Sequence, residues 1–115
     1  MKKYAIIGLV FTALVFASCK LEKGGTIEVI NGDNDYYASI RIVNADDNES
    51  VAGGEAKWAA PNKTVTFFIG EDGAYIATAT FHLDQTPIPF VSQGSSKKIR
   101  LSGGNKETVS VEPTN

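Results

Sequence analysis

The chain has one cysteine, one histidine and one tryptophan in 115 residues, and only four prolines. A single cysteine excludes an intrachain disulfide. A single histidine beside it excludes the four-ligand histidine and cysteine sets that hold zinc. No serine lies in a glycine-flanked elbow, so the nucleophile–base pairing of a hydrolase has no obvious start. No aspartate or glutamate interrupts an apolar run, where burial would raise its pKa for glycoside hydrolysis. Beyond the first nineteen residues, no apolar run approaches the length of a membrane span. Apolar residues at helical spacing never persist for more than a turn.

What is present begins at Met1. Lys2 and Lys3 precede an apolar run from Tyr4 to Ala17, followed by Ser18 and Cys19. A charged start, an apolar middle and small residues before a processing point form the plan of a secretory signal peptide. As a helix the run spans about 21 Å, short of a hydrocarbon core of about 30 Å. It suits export better than permanent anchoring. The expected organisation is a signal helix over 1–18, a tether over 19–25 and one folded domain over 26–115. The leader holds two of the eleven basic residues and none of the thirteen acidic ones. The remainder is mildly acidic, which argues against nucleic acid as a partner.

Phe16-Ala17-Ser18-Cys19 resembles the lipobox of bacterial lipoproteins. Ala17 and Ser18 fit that pattern, and Phe16 stands where an aliphatic residue is usual. The resemblance implies that Cys19 receives a diacylglycerol, that the leader is cut before it, and that the new N-terminus is acylated. Two or three acyl chains hold a protein on a bilayer, whereas one gives marginal attachment. The lone thiol fits that fate, since exported proteins tend to pair cysteines or avoid them. Lys20 after the cysteine, in place of an inner-membrane-retaining aspartate, implies the outer membrane of a bacterial envelope.

From Thr26 onward the period is two. Ile27 and Val29, Ala38, Ile40 and Ile42, Val65, Phe67 and Ile69, Tyr75 to Phe81, Ile99 and Leu101, and Val109 and Val111 alternate with mostly polar neighbours. Such alternation marks half-buried strands. A weaker element lies near Glu55 to Ala59. Asn- and Gly-rich turns separate the runs, and Gly70-Glu71-Asp72-Gly73 has the composition of a hairpin loop. The expected fold is all-β: an antiparallel β-sandwich of about seven strands, with Trp58, Phe67, Tyr75 and Phe81 at its centre. Pro61 to Thr80 carries a resemblance to Ig-like and transthyretin-like modules of bacterial surface proteins, which implies no functional residue.

Three stretches raise the question of a site. The carboxylates of Asp33, Asp35, Asp46, Asp47 and Glu49 lack calcium-loop spacing and read as solvated turns. His82 reads as an outward surface histidine. Thr86 to Val91 carries two prolines, which a central ladder does not accept, so Ile88, Phe90 and Val91 are the candidate contacts for a partner. The expectations are a monomer without metal, cofactor or catalytic residue, attached to a membrane through lipid on Cys19. Its role is a non-enzymatic binding or structural module, or alternatively a protein- or glycan-recognition domain acting through loop edges. Tyr36 and Tyr37 are the aromatics placed to serve a glycan.

Overall fold

The computed structural model describes residues 23–85 and 91–114. These fold into eight strands in two sheets. The strands are β1 (Gly25–Asn31), β2 (Tyr37–Asn44), β3 (Lys57–Ala59), β4 (Thr64–Ile69), β5 (Gly73–His82), β6 (Ser92–Ser95), β7 (Ile99–Leu101) and β8 (Asn105–Val111). The smaller sheet has the order β4-β1-β8. The larger runs β3-β2-β5-β6, and β7 also pairs with β5. Ten-residue β5 is thus the spine of the larger sheet. It meets β2 along one side and β7, then β6, along the other.

The alternation read from the sequence decides which face is buried. Ile27, Val29, Phe67, Ile69, Val109 and Val111 of the smaller sheet meet Ala38, Ile40, Ile42, Tyr75, Ala77, Ala79, Phe81, Ile99 and Leu101 of the larger one in a single core. Phe67 and Phe81 are the largest fully buried side chains. Two sheets with one shared core make a sandwich-like all-β fold.

Three expectations change. The sheets are not antiparallel throughout, because β1 and β8 run parallel from Gly25↔Asn105 to Asn31↔Val111. The stretch Gly70–Gly73 is not a hairpin loop. It carries the chain from β4 in one sheet to β5 in the other, as the β7–β8 turn also does. Turn chemistry reverses the chain but does not decide whether the next strand pairs with the last one. Trp58 is not at the core centre. It is half-buried, while its neighbour Ala59 takes the inward position.

Polar groups tie the layers together at both ends. Asn31, which opens the Asn- and Gly-rich stretch after the first alternating run, is the fully buried last residue of β1. Its Nδ2 donates to the carbonyls of Tyr36 (2.8 Å), Ala59 (3.1 Å) and Ala60 (3.2 Å), and its Oδ1 accepts from the Asp33 amide (3.0 Å). At the other end, Gly24 has a φ of +68°, and a side chain there would collide with the Ile69 carbonyl. Its amide donates to Asp72 Oδ1 at 2.7 Å. Along the β4 edge, Lys57 Nζ donates to the Thr66 carbonyl and sits 5.0 Å from the Phe67 ring centroid. After β8 the chain crosses to the larger sheet. The Thr114 amide donates to the Gln93 carbonyl at 3.0 Å, and Ser92 Oγ donates to the Thr114 carbonyl at 3.0 Å.

Candidate functional site

Of the residues singled out from the sequence, Cys19, Ile88 and Phe90 lie outside the described residues. Val91 is 48% exposed, and its amide donates to the Phe81 carbonyl at 2.7 Å. Across the same β5–β6 connection, Leu83 is 73% exposed. These two apolar side chains therefore lie at the end of the molecule where β5 finishes, opposite the end where β1 begins.

The acidic stretches are built as turns. Asp33 Oδ2 accepts from the amides of Asp35 (2.8 Å) and Tyr36 (2.7 Å), and Asp47 Oδ1 accepts from the Glu49 amide (3.0 Å). Asn48 follows with a φ of 59°, a left-handed conformation that asparagine tolerates. Among the described residues, no three histidine, cysteine, aspartate or glutamate side chains cluster as a metal site. Tyr36 packs against the core rather than standing free.

His82 departs from its expected place. It is 2% exposed, not an outward surface histidine. Its Nε2 shares a 2.7 Å hydrogen bond with Thr80 Oγ1. Its ring meets Trp58 edge to face, with centroids 4.9 Å apart and planes at 72°. Alternation places His82 outward, but Trp58 from β3 covers it. The aromatic pair that the sequence split between core and solvent forms one unit on the outer side of the larger sheet.

Beside that unit lies a groove of about 660 Å³. The strand register sets its floor as two cross-strand rows. Ser39, Thr80 and Gln93 form one, and Arg41, Thr78 and Ser95 the other. Adjacent strands are about 4.8 Å apart, and rows two residues apart are about 6.7 Å apart. Trp58 stands opposite Ser39 in register, at the end of the first row. Val43, 1% exposed, bridges Ser50 after the 45–49 loop, and Asn48 of that loop forms one wall. These six floor residues are the polar halves of the β2, β5 and β6 patterns. Sequence reading passed over them because outward polar residues on a strand are the ordinary case. The available signal was one arginine set among short hydroxyl side chains.

Tyr75 is a titratable group that the fold shapes. Its hydroxyl donates to the Glu71 carbonyl at 2.7 Å. Burial, and then the nearby carboxylates of Glu71 and Asp72, hold its pKa above the ordinary 10.0.

Comparison of the chain with protein-family models, curated proteins and solved structures returns no match.

Proposed function

We propose that the protein is a lipid-anchored component of the bacterial envelope, attached through Cys19 and acting as a non-enzymatic binding or structural module. The leader pattern ending at Cys19 carries this reading. The fold is compatible with it. Gly24 and the start of β1 lie at one end, and exposed Leu83 and Val91 lie at the other. The tether expected over 19–25 ends earlier, because Gly24 is held by Asp72 and Gly25 opens β1; a tether ahead of Gly24 leaves the far end available for contact. The outer membrane is the proposed address, on the strength of Lys20. Two acyl chains suffice for stable attachment.

The finer fold reading is an Ig-like or transthyretin-like sandwich. Two observations bear on it. The Tyr75 hydroxyl reaches back four residues to the Glu71 carbonyl, as in the tyrosine corner of Ig-type sandwiches. The parallel β1–β8 pair is compatible with either alternative.

A second reading, recognition of a protein or glycan through a loop edge, is favoured by the exposure of Leu83 and Val91. The anchor is tested by replacing Cys19→Ala and feeding cells a palmitate analogue. Label on the wild-type chain and none on the variant is the expected result. Label that survives the substitution sinks the anchor.

A further inference from the structure

We propose that the groove on the outer face of the larger sheet binds a carboxylate-bearing saccharide chain, with Arg41 on the carboxylate and the flanking side chains on ring hydroxyls. This deepens the binding-module reading and rests on it.

Charge comes first. Arg41 is exposed, is the one charged side chain lining the groove, and makes no side-chain hydrogen bond or ion pair among the described residues. Two carboxylates of the 45–55 region are turned onto their own backbone. Asp47 accepts from the Glu49 amide, and Glu55 accepts from the Gly53 amide. A guanidinium left open in this way matches a carboxylate through two parallel N–H donors.

The neighbours narrow the ligand. Ser39, Thr78, Thr80, Gln93 and Ser95 are neutral groups that both donate and accept, as sugar hydroxyls require. An acidic peptide or a densely charged polyanion calls for several cations, and here a single cation sits in a net-acidic domain. A ligand with charge spaced by hydroxyls fits one arginine within a hydroxyl grid. The volume lies within the range of about 300–1,000 Å³ for small-ligand sites.

The test uses the full chain, purified in detergent and isotope-labelled, titrated with a tetragalacturonate, a neutral cello-oligosaccharide of equal length and a tetraglutamate peptide. The expected result is shifts at Arg41, Thr78 and Ser95 with the acidic saccharide, and weaker binding of the other two. Arg41→Gln should weaken acidic-saccharide binding about tenfold, since hydrogen bonds to charged groups contribute on that scale. Thr78→Val should weaken both saccharides. Equal melting temperatures for variants and wild type are measured alongside. No shift in the groove, unchanged binding by folded Arg41→Gln, or tetraglutamate binding as tightly as the saccharide overturns the proposal. Each of these leaves the Cys19 labelling result untouched, so a failed groove and a failed anchor are told apart.

Discussion

The two outward faces of the protein share a pleat and differ in how their polar groups are used. On the smaller sheet, Glu28 stands opposite Thr108, with Lys106 two residues earlier on β8. Lys106 Nζ is 3.5 Å from Glu28 Oε1, and Thr108 Oγ1 donates to that oxygen at 3.3 Å. The charges on that face are answered by each other across β1 and β8. On the larger sheet, Arg41 stands opposite Thr78 on β5 and makes no side-chain hydrogen bond or ion pair among the described residues. One face pairs its charges internally, and the other carries an arginine without a partner among the described residues.

That contrast rests on a core common to both faces, and the largest effect tests it. Phe67→Ala should cost about 3–5 kcal/mol in a denaturant titration, since a fully buried aromatic is removed. A loss below about 1 kcal/mol would separate the two sheets energetically. Asn31→Ala should cost about 1–3 kcal/mol, because it strands the carbonyls of Ala59 and Ala60 and the Asp33 amide. Amide exchange should then quicken at the Asn31 end of both sheets before it does so around Gly24.

Tyr75→Phe should cost about 0.5–1.5 kcal/mol at neutral pH through the lost bond to Glu71. The alkaline limb carries the sign. With the folded pKa above 10.0, the unfolded chain gives up its phenolic proton first, so wild-type stability falls as pH climbs from 10.0 through the folded value. The phenylalanine variant has no such loss, and its deficit should shrink above that pH. A constant deficit across the range would place the phenol in ordinary solvent. The smallest effect belongs to the internally paired face. Glu28→Gln should change stability by about 0–1 kcal/mol, and by less in high salt. A larger, salt-independent change would mean that this face does more than satisfy itself.

The sequence showed the layers of this fold better than their wiring. Period-two patterning placed Ile27, Ile40, Phe67, Tyr75 and Phe81 inward because a strand has only two faces. Pairing partners have no such local mark, and the parallel β1–β8 ladder joins segments eighty residues apart. β6 escaped notice because its inward positions are Ser92 and Gly94, too small to register as an apolar run. Gly94 is required there, since a side chain would run into the Glu112 carbonyl. Asn31, Trp58 and His82 were misplaced for one shared reason. Each is settled by a neighbour distant in sequence: the Ala59 and Ala60 carbonyls for Asn31, and the Trp58–His82 ring contact for the other two. The groove was visible only as unremarkable polar letters until register set them in rows.

The crossing of the chain after β8 has a bearing on how such a domain keeps to itself. Thr114 lies along β6, its amide and hydroxyl both donating to the Gln93 carbonyl. A chain cut back to Val111 would leave those backbone groups bare at the rim of the larger sheet. Bare strand rims recruit other chains into cross-molecular ladders. The segment after β8 thus acts as a selvedge along β6.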